Sequence, residues 1–171
     1  ASALVGAERL RHGAPTVQPF QKGVNDMAEP LVFLPGMMCD ARLFGPQIAE
    51  LSAQTSVTIG PITRGERIEE IASGLLDELP NRFALAGLSM GGIVAMELLR
   101  RAPDRITRLA LMDTNPLAEM PNVAAAREPQ IVGVRAGRLK EVMRDELKPN
   151  YLAPGAGRNV VLQTVMDMAM A

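Results

Sequence analysis

From residue 31 onward, apolar residues fall into two alternating rhythms. Short continuous runs, LVFL at 31–34, SVTIG at 56–60, FALAGL at 83–88 and ITRLALMD at 106–113, are each closed by Pro, Gly or Asn. Runs of this length suit strands buried on both faces of a parallel sheet. Between them the spacing becomes helical. Leu43, Phe44, Ile48 and Leu51 predict a helix over 41–53. Ile68, Ile71, Ala72, Leu75, Leu76 and Leu79 follow i, i+3, i+4, i+7, i+8, i+11 and predict an amphipathic helix over 66–79, stopped by Pro80. Residues 92–101 are apolar on nearly every side, which predicts a buried helix ended by Pro103. Strands alternating with helices predict an α/β fold: a mostly parallel sheet of about four strands, joined by right-handed crossovers.

After Pro116 the rhythm changes. Leu139, Val142, Met143 and Leu147 sit at helical spacing, as do Val161, Val165, Met168 and Ala169. Pro129, Pro149 and Pro154 separate the helices, and no strand is expected. The chain therefore divides into residues 1–26, an N-terminal extension; 27–116, the α/β core; and 117–171, a helical region. The first segment carries Gly, Pro, Gln and charge without a period. It reads as disordered, as a cloning extension or as a native arm, with Met27 as the natural start of the folded unit.

Composition narrows the classes. The 171 residues suit one domain, and 47% hydrophobic residues are enough for a sizeable core. A net charge of -1 and scattered Lys and Arg predict no nucleic-acid partner and no anionic membrane surface. Aromatics are 3% with no Trp, which argues against base stacking. No apolar run approaches the roughly 18 residues of a membrane helix. The single cysteine, Cys39, forms no internal disulfide or cysteine-based zinc cluster and suits a cytoplasmic location. Cys39 reads as a small buried apolar residue without a basic partner. The methionines read as core filler rather than an adaptable surface.

Chemistry concentrates at one place. Gly87-Leu88-Ser89-Met90-Gly91 fits G-x-S-x-G, follows a predicted buried strand and opens a predicted helix. Gly87 and Gly91 let strand and helix meet closely, so the serine is held in a strained turn that exposes its Oγ. The helix N-terminus behind it favours negative charge at the site.

The stretches LVFLPGMMCDARLFGPQIAEL and FALAGLSMGGIVAMELLRRAPDRITRLALMDTNP resemble the α/β-hydrolase superfamily. They are similar to its small bacterial esterase-like members with a helical cap. The resemblance implies that Ser89 is the nucleophile and that the Met37 and Met90 N–H groups form the oxyanion hole. Pro35-Gly36 stands where members often have His-Gly. It further implies that residues 117–171 form the cap, with Met120 and Leu139 lining an acyl pocket. Asp113, after the following strand, is the candidate acid, with capping of the DTNP turn as its competing role. Family order is nucleophile, acid, then histidine, and no histidine follows Ser89. The resemblance thus implies that roughly the last third of a full hydrolase lies outside these residues. His12, the single histidine, is expected at the surface of the N-terminal segment.

The function expected is a serine hydrolase acting on small-molecule carboxylic esters, without metal or organic cofactor, weak or inactive without an added base. A non-catalytic hydrolase-fold binding module and a minimal esterase with an unusual base remain alternatives. An apolar edge strand at 106–113 and uncovered cap helices predict a homo-oligomer.

Overall fold

A computed structural model describes residues 28–155 and 157–171. Its core is a four-stranded sheet in the order β2-β1-β3-β4, formed by β1 (Leu31–Leu34), β2 (Val57–Ile59), β3 (Phe83–Leu88) and β4 (Ile106–Met112). All neighbours pair in parallel. Expectations about residues 1–26, His12 and Met27 lie outside the described residues.

The period-2 alternation of the strands sorts their side chains into two layers. On one face Val32, Leu34, Phe83 and Leu85 pack with Ile71, Ala72 and Leu75 of α2 (Ile68–Glu78) and Val94, Ala95 and Leu98 of α3 (Met90–Arg101). On the other, Phe33 and Ala86 pack with Phe44, Ile48 and Leu51. The Phe33 and Phe44 rings stack with centroids 4.4 Å apart. Helices thus cover both faces, as a mostly parallel sheet requires.

The helix expected over 41–53 is two pieces, a 3-10 turn at Ala41–Phe44 and α1 (Gly45–Leu51). Pro46 has no N–H to give to a carbonyl in the preceding turn, so the chain restarts there. Asp40 caps the first piece by accepting the Arg42 N–H at 2.9 Å. α3 begins at Met90, two residues earlier than its apolar pattern suggests, because it starts directly from the residue after the strand turn. It is not buried all round: Ile93 is 41% exposed.

Among the described residues no strand follows β4. The rest is helical: α4 (Pro121–Ala126), α5 (Glu128–Arg135), α6 (Leu139–Glu141) and α7 (Arg158–Ala169). A π-helical stretch, Val142–Leu147, and a 3-10 turn, Lys148–Tyr151, follow α6. α7 buries Val165, Met168 and Ala169 as the spacing predicts, and Met166 with them, while Val161 is 49% exposed. Met166 and Ala169 pack with Met143 and Met38. These methionines are packing residues, as expected. No described helix is long and apolar enough to cross a membrane.

Candidate active site

β1 sends the chain to β2 on one side, while β3, on the other side, sends it to β4. In open α/β sheets the crevice at such a reversal, beyond the carboxyl ends of the strands, is where ligands bind. The residues that leave β1 and β3 there are Pro35-Gly36-Met37 and Ser89.

Ser89 joins β3 to α3 with φ 51 and ψ -117. A non-glycine residue in this region carries about 1–3 kcal/mol of strain, which persists only where surroundings impose it. The surroundings are mostly main chain. The Ser89 N–H donates to the Met112 carbonyl at 2.9 Å, extending the β3–β4 ladder by one residue. The Ser89 carbonyl accepts from the Gly92 N–H at 2.9 Å, the Ile93 N–H at 3.2 Å and the Thr114 hydroxyl at 2.8 Å. Met90 occupies the first position of α3, where helix geometry leaves the N–H without a partner inside the helix.

The glycines are steric requirements. A Cβ on Gly91 would meet the Pro35 carbonyl oxygen at 2.5 Å and also strike the Leu34 carbonyl. One on Gly87 would lie 2.8 Å from the Gly92 Cα, and one on Gly92 would lie 2.6 Å from the Thr114 Cβ. The end of β1 therefore touches the start of α3 backbone to backbone. Gly36 sits over the serine: a Cβ there would lie 3.6 Å from the Ser89 Cβ.

Residues 36–39 form a tight turn in which the Cys39 N–H donates to the Gly36 carbonyl at 3.1 Å. Met38, its third residue, has φ 55. Turns of this kind ordinarily place glycine there. Met37 is 38% exposed, and Met38 packs against Met143, Met166 and Ala169. α7 reaches the same region, where the Met168 Sδ accepts the Asp40 N–H at 3.5 Å.

Cys39 departs from expectation. It is half-buried and does have a basic partner, with the Lys148 Nζ 3.6 Å from its Sγ. Burial pushes the Cys39 thiol up, and the Lys148 ammonium opposes that rise. Asp113 is exposed and has φ 44. The side-chain hydrogen bond across the turn after β4 comes from Asn115 instead, whose Oδ1 accepts the Leu117 N–H at 2.9 Å. A carboxylate at a strand end signals a cap generally, but here left-handed Asp113 leaves that geometry to the residue two places on.

The expected acyl-pocket residues separate: Met120 is 64% exposed before α4, and Leu139 packs in the methionine cluster beneath Met38. A groove of about 400 Å³ runs between α2, α3 and residues 115–118. Ile68, Ile93, Met96 and Leu117 line it, and Ser89 does not. Among the described residues no group of His, Cys, Asp and Glu could hold a metal. Two participants escaped the sequence pattern, Thr114 and Lys148. The position of Thr114 directly after a strand parallel to β3 was its only signal, and Lys148 had none.

No protein-family model matches the chain. A pimeloyl-[acyl-carrier protein] methyl ester esterase of Aromatoleum aromaticum is 41% identical over 71 residues, which are 41% of this chain and 28% of that protein. The protein of that name from Legionella pneumophila strain Corby is 33% identical over 92 residues, 51% of this chain and 38% of the relative. The aligned segment thus spans about a third of these curated relatives. An esterase from Thermogutta terrifontis superposes with a TM-score of 0.70 at 23% identity, over 84% of this chain and 58% of that one. An enol-lactonase from Burkholderia xenovorans superposes at 0.67 with 25% identity, over 83% and 59%.

The fold is that of the α/β-hydrolases.

Ser89 lies at the strand-turn-helix junction between β3 and α3. The 36–39 turn stands beside it, at the end of the neighbouring strand.

Proposed function

We propose that this chain carries the nucleophile and oxyanion hole of a serine esterase acting on carboxylic esters. The observation that carries the reading is Ser89 at φ 51, between a buried strand and a helix N-terminus, with Gly36 packed over it. In this reading the Ser89 Oγ attacks the ester carbonyl carbon as a base takes its proton. The carbonyl oxygen becomes an oxyanion held by the Met90 and Met37 N–H groups. Such donors act without reorganising, and removing one from a hydrolase typically costs about 3–4 kcal/mol of transition-state stabilisation. The tetrahedral species then expels the alcohol, which receives the proton, and leaves an acyl-serine. Water adds to that acyl group by the same steps in reverse.

The base is not among the described residues, since the sequence's one histidine is His12. Asp113 is the candidate acid, at the end of β4. The matched relatives are named for a pimeloyl-[acyl-carrier protein] methyl ester, so a pimeloyl methyl ester is the first substrate to try. We place the α/β core at 27–116 and the cap at 117–171, with the cap roofing the ester site.

A fluorophosphonate probe tests the reading. Labelling of the chain that maps to Ser89 and disappears in Ser89→Ala supports it; absence of labelling even with imidazole supplied as the base, with a folded circular dichroism spectrum, sinks it. One other reading is a hydrolase-fold module that binds esters without cleaving them. That reading predicts saturable binding of the methyl ester with no Ser89 labelling.

A further inference from the structure

Lys148 is the one polar or charged residue that is fully buried among those described, at 0% exposure. A buried ammonium is costly unless its donors are met, and lysine ordinarily extends its head to water. Here it does neither with a carboxylate nor with solvent. Its Nζ lies 3.3 Å from the Met37 carbonyl oxygen, 3.2 Å from the Met38 carbonyl oxygen and 3.6 Å from the Cys39 Sγ. Three donors meet three acceptors of a single turn. The Tyr151 ring covers the same ammonium, with its centroid 4.9 Å away.

The turn is shaped for this guest. The left-handed conformation of Met38, φ 55, brings the two carbonyls that flank it onto one side. Methionine gains nothing from that conformation by itself, so a contact must hold it. The helical segment is shaped for it as well. In an α-helix, five residues turn by roughly 500°, which would put Lys148 about 140° away from the Met143 face. The segment 142–147 is π-helical instead, and its wider turn brings the fifth residue closer to the face of the first. Met143 and Lys148 are both buried as a result, at 5% and 0% exposure.

We infer that Lys148 is a positioning residue for the 36–39 turn: by holding the Met37 and Met38 carbonyls it keeps the Met37 N–H set for the oxyanion. This rests on the esterase reading above. It makes the helical segment part of the catalytic apparatus, because the turn keeps its shape only while that segment is docked.

The test compares the full chain with Lys148→Met, which keeps the apolar stem, and Lys148→Ala, which opens a cavity. Two quantities are read in each: hydrogen exchange at the Cys39 N–H, which closes the turn, and the rate of Ser89 phosphonylation by a fluorophosphonate. The Ala84 N–H, bonded to the Pro30 carbonyl at 2.9 Å, reports on the sheet. Both variants should lose at least tenfold in Cys39 protection and in phosphonylation rate while Ala84 stays protected. Added n-propylammonium should restore both in Lys148→Ala, and 1-propanol should not. Unchanged Cys39 exchange in Lys148→Met overturns the inference. So does joint loss of protection at Cys39 and Ala84, which would make Lys148 a support of the whole core, and so does equal rescue by the neutral alcohol. If the parent chain shows no Ser89 labelling even with imidazole supplied as the base, the esterase reading fails, and Cys39 exchange still decides whether Lys148 holds the turn.

Discussion

Thr114 donates its hydroxyl to the Ser89 main-chain carbonyl at 2.8 Å, tying the segment after β4 to the strained residue after β3. The same side chain fills the space in front of Gly92. Thr114→Val keeps the packing and removes only the donor. The carbonyl retains the Gly92 and Ile93 N–H groups, so the loss is that of one hydrogen bond, about 1 kcal/mol. Thermal unfolding should fall by about 2–4 °C, and phosphonylation of Ser89 should slow as its φ relaxes.

Two glycine-to-alanine changes should act in opposite directions. Gly91→Ala drives a methyl group into the Pro35 and Leu34 carbonyls, which cannot move aside as side-chain ends can. Its cost should reach at least about 3 kcal/mol. Gly74→Ala lies in the interior of α2 with nothing within 4 Å of the new Cβ. It should stabilise by about 0.5–1 kcal/mol. Urea unfolding of the pair measures both.

Arg105 closes the C-terminus of α2. Its guanidinium donates to the Leu76, Leu79 and Pro80 carbonyls at 2.8, 2.7 and 2.8 Å and lies over the Phe83 ring, 5.9 Å from the centroid. Cations belong at that end of a helix, where carbonyls lack partners. Arg105→Met preserves the stem and leaves those carbonyls unmet. A loss of about 1.5–3 kcal/mol is expected from denaturant unfolding.

Glu97 receives hydrogen bonds from Arg100 at 2.7 and 2.8 Å and from Arg101 at 2.6 Å. These hold its carboxyl down at about 2, against an ordinary value of 4.5. A depressed carboxyl contributes stability that is complete above the ordinary value and is lost as pH falls toward about 2. A carbon-detected NMR titration should show Glu97 still charged at pH 3.5, and Arg100→Gln with Arg101→Gln should return it to the ordinary range.

Among the described residues β4 lies at one side of the sheet, with Leu109 37% and Leu111 43% exposed. An apolar edge invites pairing with another chain. Light scattering of residues 28–171 at tens of micromolar should show self-association, and Leu111→Lys should return the monomer. A monomer in the unsubstituted chain would remove the proposal of a homo-oligomer.

The sheet was legible because its strands are continuous apolar runs. LVFL and FALAGL appear in the structure at the residues the pattern marks. α2 was legible because one stripe faces the core and nothing else competes for it. α3 was read as buried all round, since composition cannot tell a residue facing the sheet from Ile93, which faces an open groove. The serine turn was legible through its glycines, whose purpose is steric and therefore local. Lys148 was not: 109 residues separate it from Cys39, and a lysine at the end of an apolar helix ordinarily points to water. Only the π-helical offset turns it inward, and that offset follows from the packing around it.

The contact between Gly91 and the Leu34 and Pro35 carbonyls is made by atoms that every amino acid possesses. The spacing between serine and neighbouring turn is consequently indifferent to most substitutions around them, provided three or four positions stay without side chains. For redesign, the groove walls are free variables, the helical segment is constrained at Lys148, and the distance between Ser89 and the 36–39 turn is set largely by the main chain.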